Sequence, residues 1–263
     1  MRLVAEKIRY AYRPGDDVLH DVSLSIDAGR SLFVLGANGS GKTTLLDCLS
    51  GIRTPRSGRV TIDGIRLADL SVRDRARWIG VVPQLHEPVF SYTVGQAVLM
   101  GRAPHLGLFA RPGKEDLKAV DRALDTVGAA SLRDRPYTGI SGGERQLVLI
   151  ARGLAQGASC LLMDEPAAHL DPQHQHGVLT VVRQLTDEGF SFVVTSHRPN
   201  NALLYADEVV FLADGVSIVR GAPEDAITEE SLRAAYAMEF EIVRGANGTR
   251  AVVPRVQRRD GAA

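Results

Sequence analysis

The stretch GANGSGKT, Gly36 to Thr43, constrains this chain more than any other. It fits the pattern G-x-x-x-x-G-K-[ST] and lies between the compact apolar run SLFVLG, residues 31–36, and the helix-forming stretch TTLLDCLSG. Strand, glycine-rich loop and helix in that order make an anion cradle. The glycines let backbone N–H groups curl around phosphates, Lys42 reaches the β and γ oxygens, and the Thr43 hydroxyl is placed to ligate Mg²⁺. A glycine-rich turn with an ordinary helix cap is the plainer alternative, and the flanking strand and helix favour the phosphate reading.

The rest of the chain agrees with an α/β fold. Residues 3–12 and 18–26 read as two strands around the turn RPGDD, giving an antiparallel piece ahead of the buried strand. GRVTIDG, a short helix from Ser71 and the apolar strand IGVVPQ follow; residues 93–138 then read as helices joined by Gly- and Pro-rich loops, a helical insertion. From Ser141 the pattern is helix, strand 159–164, helix 173–188, strand 191–195, a helix near 200 and strand 208–212. Such alternation predicts a mostly parallel sheet covered on both faces. Near the end, FEIVRGANGTRAVVP predicts a hairpin around Asn247-Gly248, and 255–263 forms a basic tail. One domain over 1–254 is expected, with a helical subdomain at about 88–157.

A second chemical signal is CLLMDEP, Cys160 to Pro166, an apolar strand ending in two acids at a carboxyl edge, where open α/β sheets bind their ligands. Asp164 is expected to hold Mg²⁺ through water, and Glu165 to orient and deprotonate an attacking water. Taken alone, a strand ending in a polar turn explains these residues equally well; following a phosphate loop, the pair is much more specific.

Charge and cysteine content narrow the partners. Lys plus Arg and Asp plus Glu both number 31, so no net field draws the chain to nucleic acid, and no nucleic-acid partner is expected. The two cysteines, Cys48 and Cys160, sit in apolar segments too far apart for metal-ligand spacing and read as buried thiols in a reducing compartment. The first residues, MRLVAEKIRY, carry no signal-peptide core, and no run approaches the roughly 20 apolar residues of a membrane span. The expectation is a soluble chain in the cytoplasm, which leaves docking on a membrane protein open.

GISGGERQLVLIARG, Gly139 to Gly153, looks like a second anion-binding helix. Its plain reading is a capping box, Ser141-x-x-Glu144, ahead of Leu147, Ile150, Ala151 and Leu154 at helical spacing. That leaves Gly142-Gly143 unexplained, because glycine weakens a first turn unless something must come close.

The order GANGSGKT, Gln84, ISGGERQ, CLLMDEP, AHLD and His197 resembles the nucleotide-binding subunits of ATP-binding cassette (ABC) transporters, over the chain to about residue 254. The resemblance implies ATP and Mg²⁺ as cofactors and a head-to-tail dimer, in which Ser141, Gly142 and Gly143 close on the γ-phosphate held by a second copy. It puts Tyr12 on the adenine, with Tyr10 on the same strand face as the fallback. Gly39, Gly41, Lys42, Thr43 and Thr44 go to the phosphates, within a loop that also includes Gly36, Asn38 and Ser40. Gln84 goes to Mg²⁺ and the attacking water, His197 to the γ-phosphate and that water, and Asp171 links the half-sites. Three positions depart from the common family form: Ile140 and Glu144 in the signature, and Ala168 where a serine is usual. The histidines of QHQH, 173–176, read as a polar helix face rather than metal ligands.

A single set of motifs with no fused membrane span favours an importer subunit on the cytoplasmic face of the inner membrane, peripheral to integral-membrane permease subunits and served indirectly by a substrate-binding protein. TVGQAVLMGRAPHLGLFARPGKED, 93–116, is similar to the branch driving uptake of iron-siderophores, haem and cobalamin. A molybdate or tungstate importer, or a soluble ABC ATPase of iron-sulfur assembly or DNA repair, remains open as an alternative. Residues 85–138 are expected to meet the permease, with Phe90, Leu106 and Phe109 as candidate contacts.

Overall fold

The computed structural model describes residues 1–84, 92–107 and 109–255. Phe90 and the tail beyond 255 therefore lie outside the described residues.

The amino-terminal half contains β1 (Leu3–Arg13), β2 (Asp16–Ile26), β3 (Ser31–Leu35), α1 (Lys42–Ser50), β4 (Ser57–Ile62), β5 (Ile65–Arg66), α2 (Val72–Trp78), β6 (Ile79–Val82), α3 (Val94–Leu99) and α4 (Lys114–Thr126). After it come α5 (Gly142–Ala155), β7 (Cys160–Met163), α6 (Pro172–Asp187), β8 (Ser191–Ser196), α7 (Pro199–Tyr205), β9 (Glu208–Ala213), β10 (Val216–Gly221), α8 (Pro223–Ala226), α9 (Glu229–Tyr236), β11 (Phe240–Arg244) and β12 (Arg250–Pro254).

The strands form a six-stranded sheet in the order β10-β9-β3-β8-β7-β6, a four-stranded sheet β2-β1-β4-β5, and the hairpin β11-β12. Within the large sheet every pairing is parallel except β10 with β9. Every residue of β3, β7 and β8 is buried, which is why these strands read as continuous apolar runs rather than alternating ones. The small sheet is antiparallel, as the RPGDD turn implied.

Successive side chains of the central strand serve two cores. Phe33 and Leu35 face one that includes Phe192, Val194 and α5, whereas Leu32 and Val34 face another filled by Leu45 and Leu49 of α1 and by Leu3, Ile8 and Leu19 of the small sheet. Helix α1 is thus packed between two sheets. The helices of the insertion, α3 and α4, lie on α5 and bury Val94, Val98, Val120 and Leu124 in the first core. The short helix predicted at Ser71 is α2, its cap made by the Ser71 hydroxyl, which accepts the Asp74 N–H at 3.1 Å.

The hairpin predicted around Asn247-Gly248 is present, and Asn200 of α7 clamps it: its side chain accepts from Val252 N–H at 2.7 Å and donates to Val252 O at 3.1 Å. Cys48 and Cys160 are buried and unpaired, and burial pushes both thiols up to about 12. Among the described residues no helix is long and apolar enough to cross a membrane.

Candidate nucleotide site

The glycine-rich loop leaves the carboxyl end of β3 and turns into α1. Only glycine fits at Gly36, since a Cβ there would come within 2.2 Å of the Leu212 carbonyl oxygen on the neighbouring strand. Gly41 precedes the helix in the left-handed region, φ 99°, and no side chain caps α1. The first helical N–H groups are thus left for an anion at the positive end of the helix. Lys42, only 6% exposed, folds back so that its Nζ donates to the carbonyls of Gly36 and Ala37, both at 2.9 Å.

The acid pair sits against this loop. Asp164 accepts the Thr43 hydroxyl at 2.8 Å through one oxygen and the Thr195 hydroxyl at 2.7 Å through the other. Glu165 has a positive φ of 45°, a conformation that costs an ordinary side chain about 1–2 kcal/mol. Its backbone N–H donates to Thr195 Oγ1 at 2.9 Å, which helps hold it there. The Glu165 carboxylate lies between two nitrogens, Lys42 Nζ at 3.4 Å and His197 Nδ1 at 2.6 Å. A carboxylate accepts only, so the imidazole carries its proton on Nδ1 in this contact.

The open cleft around these groups is lined by Tyr12, Asn38, Gly39, Gly41, Lys42, Thr43, Thr44, Gln84, Asp164 and Glu165. Ser40, within the loop, has its hydroxyl buried and without a hydrogen-bond partner among the described residues. The structure therefore gathers most of the residues expected on one ATP into one place, and sets His197 beside them through Glu165. The Thr43 hydroxyl and Asp164 carboxylate in contact, with Gln84 on the same cleft, form an all-oxygen set that fits a hard cation such as Mg²⁺. Of the two tyrosines, Tyr12 lines the cleft and its hydroxyl lies 3.0 Å from Thr44 Oγ1; Tyr10 packs against the second core.

Ser141, Gly142, Gly143 and Asp171 do not line this cleft. Ser141 caps α5 in a full capping box: its N–H donates to Glu144 Oε2 at 2.7 Å and its hydroxyl accepts the Glu144 N–H at 3.2 Å. The Ser141 N–H, with its hydroxyl, holds the Glu144 carboxyl below the usual range. Asp171 likewise caps α6, accepting the His174 N–H at 3.0 Å, a bond that lowers its carboxyl as well.

Gly143 has a reason within its own chain that the sequence reading did not supply. A Cβ there would lie 2.4 Å from Cδ2 of His174 and 2.8 Å from its Cβ. His174 is on the polar side of α6, as expected, with Nδ1 at 2.5 Å from Asp171 Oδ2; among the described residues no His, Cys, Asp and Glu cluster could hold a metal. Thr195 was also missed as a site residue. Its signal was a hydroxyl at the end of an apolar strand, in FSFVVTS, where a polar side chain needs a partner.

Comparison with known proteins identifies the family. Residues 19–168 match the ABC transporter family. The chain is 40% identical over 235 residues to a hemin import ATP-binding protein of Pseudomonas putida, covering 88% of this chain and 91% of that protein. It is 41% identical over 251 residues to a cobalamin import ATP-binding protein of Halobacterium salinarum, covering 95% of this chain but 63% of that longer one. A solved structure of a metal-chelate type ABC transporter, in an inward-facing conformation, superposes with a TM-score of 0.85 at 31% identity, over 97% of this chain and 98% of that one. The chain belongs to the ABC transporter family and is one of its ATP-hydrolysing cassettes.

Proposed function

We propose that this cassette hydrolyses ATP to drive import of a metal chelate, such as haem, cobalamin or an iron-siderophore, through a separate integral-membrane permease. The observation that carries the chemistry is the Glu165 carboxylate held between Lys42 and His197 at the mouth of the phosphate loop. What supports the cargo class is the naming of its relatives for hemin and cobalamin import, together with the metal-chelate type of the solved transporter.

In this reading Tyr12 stacks on the adenine, and the loop from Gly36 through Asn38, Gly39, Ser40 and Gly41, with Lys42, Thr43 and Thr44, takes the phosphates. Thr43, Asp164 and Gln84 would hold Mg²⁺, which when bound neutralises charge on the β and γ oxygens. Glu165 accepts a proton as the water oxygen attacks the γ-phosphorus and the bond to the β-phosphate oxygen breaks, giving ADP and inorganic phosphate. His197 fixes Glu165 and faces the γ-phosphate. Ser141, Gly142 and Gly143 complete the site of a second copy, with Asp171 at the seam.

The chain would sit on the cytoplasmic face of the inner membrane, its insertion against the permease and a substrate-binding protein acting from the far side. Phe109, 94% exposed on that insertion, is the most prominent apolar contact; Leu106 is half-buried. Reconstitution with its permease and binding protein in liposomes should give ATP-dependent accumulation of one of these chelates. Accumulation of molybdate or tungstate instead, with none of a chelate, would overturn the cargo class. Permease crosslinks that all avoid 85–138 would overturn the docking face.

A further inference from the structure

Tyr12 is half-exposed, at 51%, yet it is pinned at three points. Its hydroxyl meets Thr44 Oγ1 at 3.0 Å, its ring makes an edge-on contact with Tyr10 at 5.2 Å between centroids, and the guanidinium carbon of Arg53 stands over the ring at 4.6 Å. Arg53 is itself held from two sides. Its Nε donates to Asp47 Oδ2 at 2.7 Å and its Nη1 to the Tyr10 hydroxyl at 2.9 Å. Asp47 and Thr44 both belong to α1, and Arg53 follows the end of that helix, with its N–H on Asp47 O at 3.0 Å. The helix that presents Lys42 to the phosphates therefore also supports Tyr12, through Thr44 and through Arg53.

We propose that Arg53 is a positioning residue for nucleotide recognition, clamping one face of the Tyr12 ring so that the opposite face is preset to stack on the adenine base. This rests on the reading of Tyr12 as the adenine platform. Two physical effects act together. A cation over one face of a phenol ring is attracted to its π electrons and draws that density away from the opposite face. A ring already held in place loses less freedom when a base stacks on it, so more of the stacking energy remains as affinity. Neither effect reaches the phosphates. Arg53 should therefore influence the binding of the base and not that of the triphosphate.

The test is calorimetric titration of the full chain, with Mg²⁺, using ATP and inorganic tripolyphosphate as separate probes. Arg53→Met, which keeps the length and loses the charge, should weaken ATP by about 3- to 10-fold and leave tripolyphosphate within twofold. Arg53→Lys, which restores a cation, should recover much of the loss. In a Tyr12→Ala background, where ATP is already weakened, Arg53→Met should add nothing further.

Unchanged ATP affinity in Arg53→Met, with Tyr12→Ala weakened, would overturn the clamp and leave the platform standing. Equal weakening of ATP and tripolyphosphate would also overturn it, since that marks a general disturbance of α1. Unchanged ATP affinity in Tyr12→Ala would remove the platform itself, and the clamp with it. Circular dichroism and thermal melting of each variant separate loss of folding from loss of recognition.

Discussion

His174 lies against Gly143, in the first turn of the signature helix, and leaves no room for a side chain there: a Cβ at Gly143 would come within 2.4 Å of the imidazole and 2.8 Å of the His174 Cβ. The same imidazole is 2.5 Å from Asp171, which caps α6. The start of α5 and the start of α6, both proposed to meet a second copy, are thereby registered against each other within the single chain.

Gly143→Ala should therefore cost stability in the isolated chain, about 1–3 kcal/mol from overpacking, measured by denaturant unfolding. Gly142→Ala meets only a Leu170 methyl at 3.2 Å, the end of a flexible side chain, and should cost less. Equal stability losses at both positions would contradict the registered packing.

Glu165→Gln should retain ATP binding and lower hydrolysis by roughly 10²- to 10⁴-fold, the usual contribution of a positioned general base. Lys42→Ala should instead weaken ATP binding itself, because it removes the one ammonium aimed along the phosphate loop and facing Glu165. Steady-state turnover paired with equilibrium titration distinguishes the two. A near-normal rate in Glu165→Gln would take the base role away from that residue.

Thr195 supports both acids at once, and it is fully buried. Thr195→Val keeps the shape but strands one Asp164 oxygen and the Glu165 N–H, at a cost of about 1–3 kcal/mol for unsatisfied buried groups. Because Glu165 holds a left-handed backbone conformation beside that bond, turnover should fall by more than ATP affinity. A loss confined to affinity would show that Thr195 acts on the nucleotide pocket rather than on the base.

The contrast between legible and illegible parts follows from distance along the chain. The loop from Gly36 to Thr43 and the pair Asp164-Glu165 could be read because their chemistry is written within a few residues, at a strand end whose apolar run marks the sheet. Arg53 could not, since its partner Tyr12 lies on another element and only the packing of α1 between two sheets brings them together. Gly143 was read as a point of close approach for an anion, whereas the group that approaches it within the chain is His174, thirty-one positions away. Helices α8 and α9 went unpredicted, being short and polar on their outer faces, with their apolar residues set by contact with β9 and β10.

The signature helix itself can be tested by where the damage appears. Ser141 makes a complete capping box in its own chain, so Ser141→Ala should lose about 1 kcal/mol of stability whatever else it does. If it also serves a second copy, Ser141→Arg should fold and bind ATP through its own loop, because Ser141 does not line the cleft containing Lys42, yet fail to close into a dimer or to hydrolyse. In that arrangement each composite site would take its phosphate loop from one chain and its signature from the other. A heterodimer of Ser141→Arg with Lys42→Ala therefore holds one site with both lesions and one with neither. Mixing the two proteins should restore nucleotide-dependent association, read by sedimentation, that each lacks alone. Absence of association in the mixture, with both chains folded and the Ser141→Arg chain still binding ATP, would mean that the signature of one copy does not serve the phosphate loop of the other.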